Sequence, residues 1–258
     1  MSHKVLIAGT SYDVTGGTDL VDGTIFHIGG GRTLVNGTGY EIKFSNGIPL
    51  NTITPGAILY LNESGSPVPF YIAKHDYESG LNGAGRTLVV RKDCYNDCTF
   101  AGYNSYAGSE LDSLLRNTYL KLLDAGTQAA IGTTKFYYTS GGNSYGDGNT
   151  TVTTLQRAVF QLSLTELGTT GYNANTEGSA LPIASTLRIA YRNGVKVGQW
   201  TRTPYRRNTY SMYYLNTGGY ADYPTGSQHE YFGSRPAFTL PGELIVTANP
   251  DGTYSIAS

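Results

Sequence analysis

Charge is scarce in this 258-residue sequence: Asp, Glu, Lys and Arg together make up 14%, and the formal net charge is −1. Binding a phosphate backbone or an anionic membrane needs a basic excess that this chain lacks, so neither nucleic acid nor membrane insertion is expected. The local trio Arg202, Arg206 and Arg207 is too small to reverse that balance. Long apolar runs are missing too. No stretch approaches the ~20 apolar residues of a spanning helix, and the opening MSHKVLIAGTSYD holds too short an apolar run for a secretion signal. A working place outside the cell is then reached by another route, such as lysis or assembly into a particle. Cysteine is limited to Cys94 and Cys98, in DCYNDC, which reads either as a local disulfide or as two free thiols. A zinc site needs two more ligands, and His3, His27, His75 and His229 are scattered, so no metal is expected. Catalytic patterns are also lacking. GTSYD, GNSYG and TGSQH do not have the GxSxG spacing of a nucleophile elbow, and His229 beside Glu230 reads as a surface contact rather than a base. No enzyme activity and no cofactor are expected.

Glycine (34 residues) and tyrosine (22) are abundant instead. Seven of the tyrosines, at 205, 210, 213, 214, 220, 223 and 231, fall inside residues 198–240, a lysine-free stretch opened by the single tryptophan, Trp200, and closed by Arg235, Pro236, Ala237 and Phe238. Tyrosine offers a large, stiff contact area with few torsions, and Ser, Asn and Gly add adaptable hydrogen bonds, which together is the palette of a recognition surface. The plainer reading is a sheet whose tyrosines only pack. If residues 207–216 form a strand with Tyr213 and Leu215 inward, then Asn208, Tyr210, Met212, Tyr214 and Asn216 share the outer face. The candidate ligand-binding set is Tyr205, Arg206, Arg207, Asn208, Tyr210, Met212, Tyr214, Asn216, Tyr220, Asp222, Tyr223, His229 and Tyr231. Trp200 is assigned to the core and Arg235 to loop carbonyls beneath the surface.

Residues 1–47 carry a 14-residue repeat, with Gly-Thr at 9/10, 23/24 and 37/38. Each unit reads as a short hairpin turning at AG, DG or NG. Such hairpins bury little alone, so the segment is expected to dock or to oligomerise, as a homotrimer of the chain. Residues 48–258 form a second domain. Strands are expected near 57–61, 68–74 and 86–92, and one helix over 109–124 with Ser109 as its cap and Leu111, Leu114, Leu115, Tyr119, Leu122 and Leu123 as its apolar stripe. SGGNSYGDGNTT, at 140–151, reads as a surface loop, residues 155–168 as a strand breaking into a turn at Ser163, and GELIVTANPDGTYSIAS as a closing hairpin.

The order of SYAGSELDSLLRNTYLKLL, AVFQLSLTELG, QWTRTPY and FGSRPAFTL resembles a bacterial and phage domain family with a C-type lectin-like fold. The resemblance spans about residues 55–255; Thr203 stands where that family usually has Ser, and Ser234 where Val is common. It implies an α+β, C-type lectin-like fold preceded by the small β-repeat domain. It also implies an exposed ligand-binding segment between the motifs around Trp200 and Arg235. The calcium motifs of sugar-binding lectins, EPN or QPD with WND, do not occur, and Cys94 and Cys98 do not match the copper cysteines of formylglycine-generating enzymes. The segment is similar to the variable proteins of diversity-generating retroelements, in which adenine-directed mutagenesis rewrites phage tail-tip receptor-binding proteins. The expectation is therefore a non-enzymatic adhesin of a phage tail, placed on the virion or otherwise outside the cell. Its partners would be a host cell-surface protein or glycan and other tail proteins. The alternatives are a bacterial surface ligand-binding module and a structural fibre or decoration subunit.

Overall fold

A computed structural model describes residues 47–100, 103–223 and 231–256, together with the backbone of six strands between His3 and Ile42. The chain falls into two compact units, Met1–Asn46 and Gly47–Ser258. In the first, antiparallel ladders join His3–Ile7 to Thr10–Val14, Thr18–Val21 to Thr24–His27, and Gly31–Val35 to Thr38–Ile42. Ile7 faces Thr10, Val21 faces Thr24 and Val35 faces Thr38, so the pairing advances by the same 14 residues as the Gly-Thr dipeptides.

The second unit is built on an eight-stranded sheet. Its order is Val159–Phe160, Ala237–Pro241, Arg86–Arg91, Ser66–Lys74, Ile58–Glu63, Tyr254–Ile256, Ile245–Ala248 and Ile48–Pro49. Only the contact between Tyr254–Ile256 and Ile58–Glu63 is parallel. Residues 87–90 of the RTLVVR strand are all buried, which is why it reads as a continuous run rather than an alternation: both faces of the sheet are covered there. A five-stranded sheet runs Asp97–Cys98, Phe232–Gly233, Gln199–Pro204, Met212–Leu215 and Ala221–Asp222. Every residue of Gln199–Pro204 is buried. Trp200 anchors this strand, its indole donating to Cys98 O at 2.7 Å and its ring meeting Phe100 and Phe232 edge-on. Arg235 is buried and donates to the carbonyls of Arg91, Leu187 and Lys92, so its charge is met by backbone dipoles.

The helix expected over 109–124 is divided. Ser109 does cap it, accepting from Asp112 N–H at 3.0 Å, but the α-helix spans only Glu110–Asn117 and a 3₁₀ turn follows at Tyr119–Leu122. The chain beyond Thr118 finds better partners at a strand edge. Leu122 O accepts from Ser64 N–H, Asp124 N–H donates to Asn62 O, and the buried Tyr119 hydroxyl donates to Glu63, itself paired with Arg91 at 2.8 Å. Asp124 then caps a new helix, Ala125–Ala130.

The α+β, C-type lectin-like expectation is not met. Strand accounts for 35% and helix for 14%, spread over several sheets, so the protein is β-rich. Among the described residues no α-helix exceeds eight residues. The apolar stripe that implied a principal helix is divided: its Glu110–Asn117 half packs beside Val159–Phe160, while Tyr119 and Leu123 meet the end of strand Ile58–Glu63, and the glycine-, threonine- and tyrosine-rich remainder forms short strands. Among the described residues, no helix is long and apolar enough to cross a membrane.

Candidate ligand-binding surface

The buried strand Gln199–Pro204 ends in the loop 205–211, which returns as Met212–Leu215; Pro204 pairs with Met212, and Tyr205 N–H donates to Ser211 O at 3.0 Å. Asn208 shapes the turn, its Oδ1 accepting from the N–H groups of Tyr210 and Ser211. Asn104 fixes it from behind. This buried side chain donates to the carbonyls of Tyr205 (3.0 Å), Asn208 (2.8 Å) and Ser211 (3.1 Å), and accepts from Gly142 N–H at 2.9 Å.

Two more loops lie against the same turn. From 140–149, the N–H groups of Asn143 and Asn149 both donate to Arg206 O, and Arg207 Nη2 donates to Gly146 O. Glycine is required at this approach: a Cβ on Gly142 would stand 2.0 Å from Asn208 O, and one on Gly148 2.2 Å from Arg206 O. From 171–175, Asn173 O accepts from Arg206 N–H, Asn173 Nδ2 donates to the Tyr205 hydroxyl at 3.1 Å, and the Tyr213 hydroxyl donates to Tyr172 O. Tyr223, returning beside this end, stacks on Tyr205 with ring centroids 4.6 Å apart. Four loops thus meet at the Pro204 end of the five-stranded sheet. Counting the segment of Asn104, they carry exposed tyrosines 103, 145, 172 and 210 and the exposed Arg207, with the exposed Tyr223 beside them. Tyr145 (86% exposed), Tyr103 (78%) and Tyr172 (75%) project furthest, and among the described residues rings this large are left facing water rather than packed.

The candidate residues predicted from sequence divide accordingly. Tyr205, Arg206, Arg207, Asn208, Tyr210 and Tyr223 gather in this cluster, with Tyr205 and Arg206 half-buried as its floor. Asn216 and Tyr220 lie past Leu215, which pairs with Gln199 at the opposite end of the sheet, and Asn216 N–H donates to Tyr220 O. Tyr231 belongs at that end as well, since Phe232–Gly233 runs parallel to Gln199–Pro204 with Gly233 level with Gln199. At ~3.3 Å per residue, the six residues of that strand separate the two ends by roughly 16 Å. Asp222 lies between them, exposed, opposite Tyr214.

Met212 is a correction. It is fully buried, not on the outer face, because only Met212–Leu215 is strand while 206–210 is turn, and both faces of this central strand are covered at Met212 and Tyr213. Tyr214 is half-buried, stacked on Phe232 with centroids 3.8 Å apart. His229 lies outside the described residues. Sequence reasoning missed Tyr103, Tyr145, Tyr172 and Asn104. A signal for them existed in GYNSY and GGNSYGDG, where glycine, asparagine and tyrosine recur as they do at 205–223.

Beneath the cluster lies a buried polar network. Arg202 donates to Glu166 Oε2 at 2.6 Å and to the carbonyls of Tyr137 and Gln161, and its guanidinium sits 4.5 Å from the Phe136 ring centre. Ser163 and Glu166 cap each other reciprocally, each side chain accepting from the other's N–H. Glu177 accepts from Thr139 N–H and the Thr203 hydroxyl, and burial pushes its carboxyl up to about 7 despite the nearby Arg202 charge. Cys94 and Cys98 are free thiols, raised by burial to about 11 and about 12, so neither is an activated nucleophile at neutral pH. Among the described residues no group of three or more His, Cys, Asp or Glu is placed to hold a metal ion.

A family model described as a domain of unknown function (DUF6273) matches residues 84–242. No curated protein and no solved structure matches the chain. The matched segment closes on itself: Gly242 N–H donates to Gly85 O at 2.7 Å, and Arg86 pairs with Pro241. All four loops of the tyrosine cluster lie within it, whereas the five consecutive strands at one side of the eight-stranded sheet lie outside.

Proposed function

The chain belongs to the DUF6273 family, and we propose, from the geometry of its loops, that it is a non-enzymatic recognition protein whose tyrosine cluster grips a macromolecular partner. The observation that carries this reading is the convergence of four sequence-distant loops, cross-braced by Asn104 and by two glycine close approaches, on a surface of outward-facing tyrosines. Rigid aromatic anchors on a braced support lose little conformational entropy on binding, which is the economy of an evolved binding face. A sheet whose tyrosines merely pack would not leave rings at 103, 145 and 172 in water.

The finer reading is an adhesin acting on the virion or otherwise outside the cell. A host cell-surface protein or glycan is its partner, the tyrosine-rich segment is diversified between isolates, and residues 1–47 trimerise or dock to tail proteins so that avidity multiplies weak single-site affinity. Supporting it are the residue palette of 205–231, the 14-residue repeat and the resemblance carried by the motifs around Trp200 and Arg235. The test is binding of the labelled full chain to candidate host cells, comparing wild type with the triple variant Tyr145→Ser, Tyr172→Ser and Tyr210→Ser. Loss of one hot-spot tyrosine typically costs ~2 kcal/mol, so the triple variant is expected to bind at least ~100-fold more weakly with an unchanged melting temperature. Cell binding that survives the triple variant intact refutes the assignment of this surface.

A further inference from the structure

An open cleft of about 500 Å³ is lined by Glu78, Tyr137, Val152, Thr176, Gly178 and Ser179. Its size falls within the ~300–1,000 Å³ of small-molecule sites. None of the exposed tyrosines of the loop cluster lines it, although Val152 and Thr176 directly follow two of that cluster's loops. Glu78 is the unusual member: its Oε1 is buried and accepts no hydrogen bond, while Lys74 Nζ stands 4.0 Å away and donates instead to Ser179 Oγ at 3.1 Å. A carboxylate oxygen withdrawn from water without a donor is costly, and structures retain one where something else supplies the donor. Burial raises the Glu78 carboxyl above its ordinary value, with Lys74 opposing.

The surrounding chain maintains this arrangement at some expense. Glu78 and Asp76 are both left-handed, at φ 46° and 50°, and Asp76 Oδ1 fixes the turn by accepting from Gly85 N–H at 2.7 Å. Across the cleft, Thr176 and Gly178 flank Glu177, whose buried carboxylate pins their loop to Thr139 and Thr203. Gly178, at φ +89°, leaves room beside the carboxylate: a Cβ there would stand 3.2 Å from Glu78 Oε1.

The charges of Glu78 and Lys74 offset each other, so a strongly charged ligand gains little. What the walls offer is an acceptor without a donor, the hydroxyls of Thr176 and Ser179, and the Tyr137 side chain, with the Lys74 ammonium next to the wall residues Ser179 and Glu78. A ring bearing several hydroxyls, each both donor and acceptor, and a face of C–H groups matches that set. We infer that the cleft binds a neutral saccharide ring, one hydroxyl donating to the Glu78 carboxylate and a neighbouring hydroxyl accepting from Lys74 Nζ. The last torsion of a glutamate is soft, so a small rotation turns Oε1 toward the ligand.

The experiment is saturation-transfer NMR on the full chain with the methyl glycosides of glucose, galactose, mannose and N-acetylglucosamine, with methylammonium chloride as the charged comparison. At least one glycoside is expected to bind wild type. Affinity should fall at least ~10-fold in Glu78→Gly, a variant that removes the carboxylate while relieving the left-handed backbone and so keeps or raises the melting temperature. The variant Tyr145→Ser with Tyr172→Ser should retain the glycoside. No binding of any of the four by wild type, equal binding by Glu78→Gly, or preference for methylammonium overturns the inference.

Discussion

Asn104→Ala tests whether the tyrosine cluster is held by one buried amide. The substitution removes three donations to loop carbonyls and one acceptance from Gly142 N–H. The Ser211 carbonyl retains its bond from Tyr205 N–H, so its loss is partial. The bonds to the Tyr205 and Asn208 carbonyls and from Gly142 N–H are half-buried, where water replaces them only in part. At ~0.5–1.5 kcal/mol net for each bond, and somewhat more where a group is left dry, the expected loss is about 2–4 kcal/mol. Trp200 is the only tryptophan and lies at the centre of the second unit, so urea unfolding followed by its fluorescence reports that unit without interference from Met1–Asn46. Hydrogen exchange should accelerate at 142–149 and 205–211 and stay slow in the buried strand Arg86–Arg91. Asn104→Asp should be worse than Asn104→Ala, because it turns a carboxylate toward three carbonyls. A loss below ~1 kcal/mol with unchanged loop exchange would mean that the loops hold themselves, and the bracing role would be abandoned.

Glu177 gives a pH signature of unusual sign. Its folded value, pushed up to about 7 from 4.5, means the native state holds a proton that the unfolded chain releases, so the stability it contributes is full at low pH and is lost as pH rises through that window. At ~1.36 kcal/mol per pH unit the loss approaches 3 kcal/mol by about pH 8, and Glu177→Gln should remove it, the difference between the two unfolding curves against pH being the measurement; parallel curves contradict the assignment. Arg202→Met leaves the buried Glu166 carboxylate without its cation and is expected to cost ~3–5 kcal/mol in urea unfolding, whereas Arg202→Met with Glu166→Leu should cost less than the single change. The recovery is incomplete, because Tyr77 and Ser163 also donate to Glu166.

Local features were legible where one short segment decides them. Ser109 and Asp112 form the helix start that their spacing implies, Ser163 marks the turn after Phe160, and the strands Ile58–Glu63 and Ser66–Lys74 meet at the turn within NESGSP. Trp200 and Arg235 are in the scaffold for reasons their types suggest: one is a large ring that fills a core, the other a fork of donors that satisfies carbonyls. The helix end was not legible. Whether Leu122 and Asp124 continue a helix or bond to residues 62–64 depends on a strand some sixty residues earlier, and periodicity contains no information about that competition.

The candidate surface was half legible for a related reason. Composition alone located tyrosines at 205–223, yet the face assigned to them assumed a ten-residue strand of period two, and a turn at 206–210 broke that count. A period-two count therefore puts Met212 outside when it is in the core, and composition groups Tyr220 with rings at the far end of the sheet. The missing half of the surface comes from 103, 145 and 172, which no spacing connects to 205–211. Their link is steric and needs glycine at 142 and 148, where the backbone of one loop touches the carbonyls of another, and a single amide at 104 that bridges both. The proposed recognition surface is encoded less by its tyrosines than by the small residues that allow loops to meet, so substitutions at Gly142 or Gly148 should disturb it more than any one ring does.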